Sequence, residues 1–189
     1  MRLLALLAFV FAASTASAQA GLWSHVSADS GSRQLQAATL TGAQLHSFAS
    51  FLRHQKSESI WECEGPDLDE LVEGLTFETI PSPGSNLVLA EAGAGCARGG
   101  QGANGAMWVI RFKGDTLIGT PSELDGWIFS IQPTVSHGYP DIVTGWHMSA
   151  AEAGLNYLRF DGKFYRSMGS ATLVSDESGN SKIVPARQR

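Results

Sequence analysis

The chain has 189 residues, 43% of them hydrophobic and 16% charged, which is enough for one domain with a sizeable core. With 18 Asp and Glu against 13 Lys and Arg, its formal charge is −5, so there is no electrostatic reason to expect nucleic acid or an anionic lipid surface as a partner. Its two cysteines do not form the Cys-x-x-Cys of a redox centre, and a thiol-based zinc site would want more ligands close by.

At the amino end, Arg2 leads an apolar run over 3–13 that is followed by Ala16-Ser17-Ala18, the pattern of a secretory signal peptide over 1–18. The run is too short to span a bilayer as a helix. The expectation is therefore a single exported domain over 19–189, periplasmic or secreted, with no membrane insertion. Loss of Arg2 leaves 12 Lys and Arg against 18 acids. In an oxidising compartment Cys63 and Cys96 are expected to be bridged, tying the amino-terminal part to the β-rich part.

The part over 19–74 reads as helical. Its start, 21–36, is Ser-rich and without period. Thr41-Gly42-Ala43-Gln44 has capping-box spacing, and Leu45, Phe48 and Leu52 then share a helical face, which predicts a helix over 42–54 packed on a sheet. A second helix is predicted over 66–73, with Pro66 at its start, acids in its first turn and Gly74 as its stop.

From 75 onward the chain turns to short β-like runs broken by Gly, Pro, Ser and Asp. Strands are predicted at 75–80, 86–90, 106–112, 116–119, 127–132, 141–146, 156–160, 163–167 and 171–174. The fold class expected is α+β: an antiparallel meander or sandwich-like sheet with one or two amino-terminal helices packed on it. Two segments, 108–117 and 156–165, repeat Arg, Phe and Gly in register around Lys113-Gly114 and Asp161-Gly162, both suited to tight turns. A strand precedes each, which marks 86–119 and 141–174 as a candidate duplication. Through Tyr139-Pro140-Asp141-Ile142-Val143 and Tyr157-Leu158-Arg159-Phe160-Asp161-Gly162-Lys163 the chain resembles the FG-GAP and propeller-type β-repeats of exported bacterial proteins. That resemblance implies a binding surface made of β-hairpins. The Asp-x-Asp-x-Asp-Gly calcium run of such repeats is not in the sequence, and no metal or cofactor is expected.

Pleat alternation places Arg111 and Arg159 on the face opposite Ile110, Phe112, Leu158 and Phe160, free to meet a ligand or to stack on a ring. The Gly-rich stretch 93–105 contains Gly100-Gln101-Gly102-Ala103-Asn104-Gly105, but a strand and not a helix comes after it, so it has no nucleotide-binding context. It reads as a loop. The remaining concentration of reactive types is His137, Tyr139 and Asp141, then Trp146 and His147. Ser136 or Ser149 could act as nucleophile with one of the histidines as base, yet no G-x-S-x-G or H-E-x-x-H fixes such a geometry. Trp108 and Trp127 are expected in the core, with Trp146 open. These readings converge on an exported, non-catalytic binding protein with a protein or glycan ligand, for instance an inhibitor of or partner to a secreted or envelope enzyme. It would bind through His137, Tyr139, Trp146, His147, Arg111 and Arg159, with the Gly-rich and His137–His147 loops as the binding surface. The alternative is a small secreted hydrolase using His137, His147 and Asp141.

Overall fold

A computed structural model describes residues 21–29, 35–54, 60, 63, 65–82, 86–93, 96–99 and 104–186. The expected leader over 1–18, Trp61 and residues 94–95 and 100–103 of the Gly-rich stretch lie outside the described residues. The capping box forms as its spacing requires: Thr41 N–H donates to Gln44 Oε1 at 3.0 Å and Gln44 N–H to Thr41 Oγ1 at 3.1 Å, opening helix α1 (Gly42–His54). Helix α2 (Pro66–Glu73) comes next, closed by Gly74 N–H on Glu70 O.

Among the described residues, eleven strands form one antiparallel sheet. In chain order they are β1 (Gln36–Ala37), β2 (Leu75–Ile80), β3 (Leu87–Ala92), β4 (Arg98–Gly99), β5 (Asn104–Lys113), β6 (Thr116–Leu117), β7 (Ser122–Ser136), β8 (Tyr139–His147), β9 (Glu152–Phe160), β10 (Tyr165–Ser175) and β11 (Ser181–Pro185). The sheet runs β1-β2-β3-β5-β7-β8-β9-β10-β11, with β4 and β6 attached to β5 and the edges formed by β1 and β11. The architecture is α+β, dominated by an antiparallel sheet.

Strand β7 is the hinge of this path. Residues 122–126 pair with β5 and residues from Trp127 onward pair with β8. Gly126 stands between them at φ 91°, a conformation open to glycine. The strand thus passes from a first half-sheet into a second, and their inner faces meet. Ile80, Leu87, Leu89, Met107, Val109 and Leu124 from the first half form one core with Ile128, Ile142, Leu158, Phe160 and Tyr165 from the second. A strand that changes sheets at a bend is the corner device of folded-over β structures.

The two outer faces are covered separately. Phe48 and Leu52 of α1 and Leu71 of α2 pack with Val88, Ala90, Trp108 and Ile110 on the first half. Trp23 and Val26 pack on Phe129, Val143, Leu155, Tyr157 and Ala171 of the second. The Cys63–Cys96 disulfide is formed, as expected, and is consistent with an oxidising environment.

Several expectations are corrected by the geometry. The segment 137–147 is a two-residue turn leading into a strand, not a loop, because Pro140 sits opposite Val135 across a bulge and Gly145 lies beneath Trp127. Asp125-Gly126, which falls between the predicted strands 116–119 and 127–132, is the bend within β7. The runs 163–167 and 171–174 are one strand, β10, interrupted by a bulge at Met168. The tight turn of the first hairpin is Gly114-Asp115, and the second hairpin closes by a four-residue loop between Phe160 and Tyr165. Trp108 is fully buried as expected, whereas Trp127, next to the bend, is only half-buried. Ile110 and Phe112 face the helices, whereas Leu158 and Phe160 face the inner core, so the two hairpins present opposite faces to the centre of the molecule.

Candidate functional site

The six residues singled out for binding fall in three places. Arg159 lies on the outer face of the second half-sheet, its Nε and Nη2 donating to Asp141 Oδ2 at 3.1 and 2.9 Å. Asp141 is fully buried and also accepts from Tyr157 Oη at 3.2 Å, Thr134 Oγ1 at 3.0 Å and Ser136 Oγ at 3.3 Å. These bonds hold Asp141 as an acceptor and bind β7, β8 and β9 together. The hydrogen bond to Asp141 pushes the Arg159 pKa up despite partial desolvation. Burial pushes the Tyr157 hydroxyl up as well, partly opposed by Thr134 and aided by the neighbouring Asp141 charge. This is a structural ion pair.

Arg111 and Tyr139 form the second group, at one end of the inner face. The Arg111 guanidinium carbon stands 5.7 Å from the Tyr139 ring centre, and Tyr139 stacks on Phe160 with centroids 3.9 Å apart. Arg111 therefore stacks on an aromatic ring, one of the two roles its strand position allowed. His137 caps the same end of β8 at φ 54°, in a two-residue turn with Gly138, and its ring sits beside Gly162. In that adjoining loop the Asp161 carboxyl is held well below the usual carboxylate range by the Phe164 N–H, by Arg166 and by the Lys163 N–H.

His147 lies at the far end of β8. The nine residues of β8 run from Tyr139, just after the His137-Gly138 turn, to His147, a span of about 26 Å at strand rise. Its ring lies tilted against Trp127, centroids 4.3 Å apart, and its backbone N–H donates to Asn104 Oδ1 at 3.1 Å. The hydrolase constellation is thus not assembled: neither histidine reaches Asp141, whose oxygens are engaged by Arg159 and three hydroxyls. Among the described residues, no three His, Cys, Asp or Glu side chains are grouped to hold a metal ion.

Trp146 is the residue that the fold places in a site. On β8, Ile142, Thr144 and Trp146 point to the inner side, and on β9 Gly154, Asn156 and Leu158 do the same, since Ile142 pairs with Leu158 in the inner core and Thr144 and Trp146 pair with Asn156 and Gly154. Moving from Ile142 to Trp146, the inner face passes from apolar core to polar mouth. A cleft of about 420 Å³ opens there, lined by Thr144, Trp146, Asn156, Leu158 and Tyr165 of the second half-sheet and by Glu123, Leu124 and Asp125 of β7. That volume is in the range of small-ligand sites, ~300–1,000 Å³. The Trp146 indole fills the space where a Cβ at Gly154 would stand, so the glycine lets it lie over the strand while 37% of the residue remains exposed. Asn156 accepts from Ser167 Oγ at 2.5 Å, so its amide offers N–H donors to a ligand. Tyr165 donates to Pro140 O at 2.8 Å.

A second cleft, about 590 Å³, is lined by Pro81, Pro133, Pro140, Ile131, Val135, Ser82 and Gln132. Its polar groups are already engaged within the protein, Gln132 with Ser130 and Ser82 with Gly138. Asn156 and Tyr165 of the Trp146 cleft are likewise bonded within the protein, so what sets that cleft apart is its exposed aromatic ring.

Sequence reasoning finds Trp146 but misses Thr144, Asn156 and Tyr165. The available signal is the change of character along one strand face: Thr144 shares its face with Ile142, and Asn156 with Leu158, which marks where the core ends. Glu123, Leu124 and Asp125 carry no such mark, because the bend at Gly126 brings them to the cleft. The chain matches no protein-family profile, no curated protein and no solved structure.

Proposed function

We propose that this is an exported, non-catalytic binding protein, periplasmic or secreted, whose ligand is a neutral saccharide held in the Trp146 cleft. The carrying observation is a half-exposed indole at the mouth of a concave site lined also by a threonine, an asparagine and a tyrosine, with Glu123 and Asp125 on the β7 side, which suit a hydroxyl-bearing ligand and disfavour an anion. An aromatic face accommodates the C–H face of a sugar ring, and neutral donors and acceptors match its hydroxyls. The leader pattern over 1–18 and the Cys63–Cys96 bridge support the compartment. Separation of His137 from His147 and the engagement of Asp141 by Arg159 favour binding over the hydrolase alternative.

The test is a titration of the mature protein with N-acetylglucosamine and glucose oligomers, monitored by tryptophan fluorescence and calorimetry. Saturable binding is expected, lowered at least tenfold in Trp146→Ala and partly retained in Trp146→Phe. Absence of a heat or fluorescence change with either series, or unchanged affinity in Trp146→Ala, would overturn the reading.

A further inference from the structure

The inner face of the second half-sheet does not stop at the cleft. Trp146 pairs with Gly154, Gly154 with Thr172, and Thr172 with Val184, so these four residues stand in one row across β8, β9, β10 and β11. Direct cross-strand partners share a face. The next row is Thr144, Asn156 and Ser170. On the opposite side of the same strands Leu155, Ala171, Leu173 and Ile183 pack under Trp23 and Val26, which fixes the two rows to the inner side. The inner core claims Tyr165 from β10 and no residue of β11. Beyond Trp146 this face is therefore a floor of small and hydroxyl side chains: Gly154 is covered by the indole, Thr172 and Ser170 are half-buried, and Val184 is 44% exposed at the edge strand.

Resting on the saccharide reading of the cleft, we infer that the ligand is a linear oligosaccharide lying across strands β8 to β11, with one ring on Trp146 and the remaining rings on Thr172 and Ser170 out to Val184. Three inter-strand steps of ~4.8 Å give a floor of about 14 Å, the length of a short oligomer and not of one ring. A Gly-Thr-Ser floor is low enough for a chain to lie flat, and its hydroxyls, with the Asn156 amide, bond to sugar hydroxyls, while the adjoining row on the same face, Glu152, Val174 and Lys182, carries one charge of each sign. An extended polypeptide fits this face less well: between β8 and β11 the backbone groups are engaged in neighbouring ladders, so a peptide would pair along the outer edge of β11 and not across the strands.

The experiment compares N-acetylglucosamine with its linear di-, tri- and tetramer, and glucose with the same series of its oligomers, by calorimetry on the mature protein. Affinity is expected to rise at least tenfold from the single sugar to the trimer and then level off. Thr172→Tyr, which raises the floor midway, and Val184→Arg, at an exposed position that does not test the fold, should each reduce the trimer-to-monomer affinity ratio severalfold, with thermal melts recorded for both. Equal affinity for monomer and trimer overturns the groove while leaving the Trp146 cleft in place. An unchanged ratio in both variants overturns it too. Failure of every saccharide in both series removes the cleft reading and the groove together, as does saturable binding of an extended peptide competing at Trp146.

Discussion

The Asp141–Arg159 pair is asymmetric in burial, and the asymmetry predicts unequal consequences. Asp141 is fully enclosed, whereas the Arg159 side chain is 40% exposed. Arg159→Met strands a buried carboxylate with only neutral donors, a change expected to cost about 3 kcal/mol or more. Asp141→Asn releases an arginine that can turn to water, and should cost about 1 to 2 kcal/mol. Urea unfolding of the two variants checks the order, and equal destabilisation would contradict it. Tyr165 makes a second residue-scale prediction. Its hydroxyl pKa is pushed up mainly by burial, with help from Tyr139 and Asp141. The unfolded chain ionises near the ordinary tyrosine value of about 10, so above that pH it binds fewer protons than the native state and stability falls as pH rises. Tyr165→Phe should flatten this alkaline limb in denaturant melts taken between neutral and strongly alkaline pH, with loss of the bond to Pro140 O.

Among the elements, β7 decides the shape. At Gly126 a Cβ would run into the Gly145 carbonyl oxygen, and φ is positive, so Gly126→Ala should destabilise by about 1–3 kcal/mol and loosen the junction between the half-sheets. Hydrogen exchange should then rise in both β5 and β8; a rise confined to β7 would mean that the bend is only local. The elements also show how much is legible in the sequence. Helices α1 and α2 are readable to their ends, since caps, proline and glycine stops are local interactions within a few residues. The strands are readable as apolar alternations, but 122–126 of β7, ahead of the Gly126 bend, is not predicted, and Ser167 to Gly169 splits β10. In β structure the same Gly and Ser that mark a turn also mark bends and bulges, and only the cross-strand partner distinguishes them.

For the molecule as a whole, the disulfide joins the segment between the helices to the one between β3 and β4. It closes a span of 33 residues, so its reduction should lower stability by about 3 to 4 kcal/mol on the chain-entropy model, read as a drop in the urea midpoint of reduced and alkylated protein. A change below about 1 kcal/mol would show that the unfolded chain is already constrained there. What the sequence determined by itself is whatever depends on near neighbours or on composition: an acidic α+β chain, two capped helices, a bridged cysteine pair and the alternation that puts Arg111 and Arg159 opposite the apolar positions. The tertiary structure decided which faces became interior. Folding the sheet over at Gly126 turned Arg111 onto Tyr139 and left Trp146 at the mouth of a cleft, while the pairing of β8 with β9 set Arg159 on Asp141 and the length of β8 kept His137 away from His147. Those outcomes rest on pairing between residues distant in sequence, and a one-dimensional pattern does not carry that register.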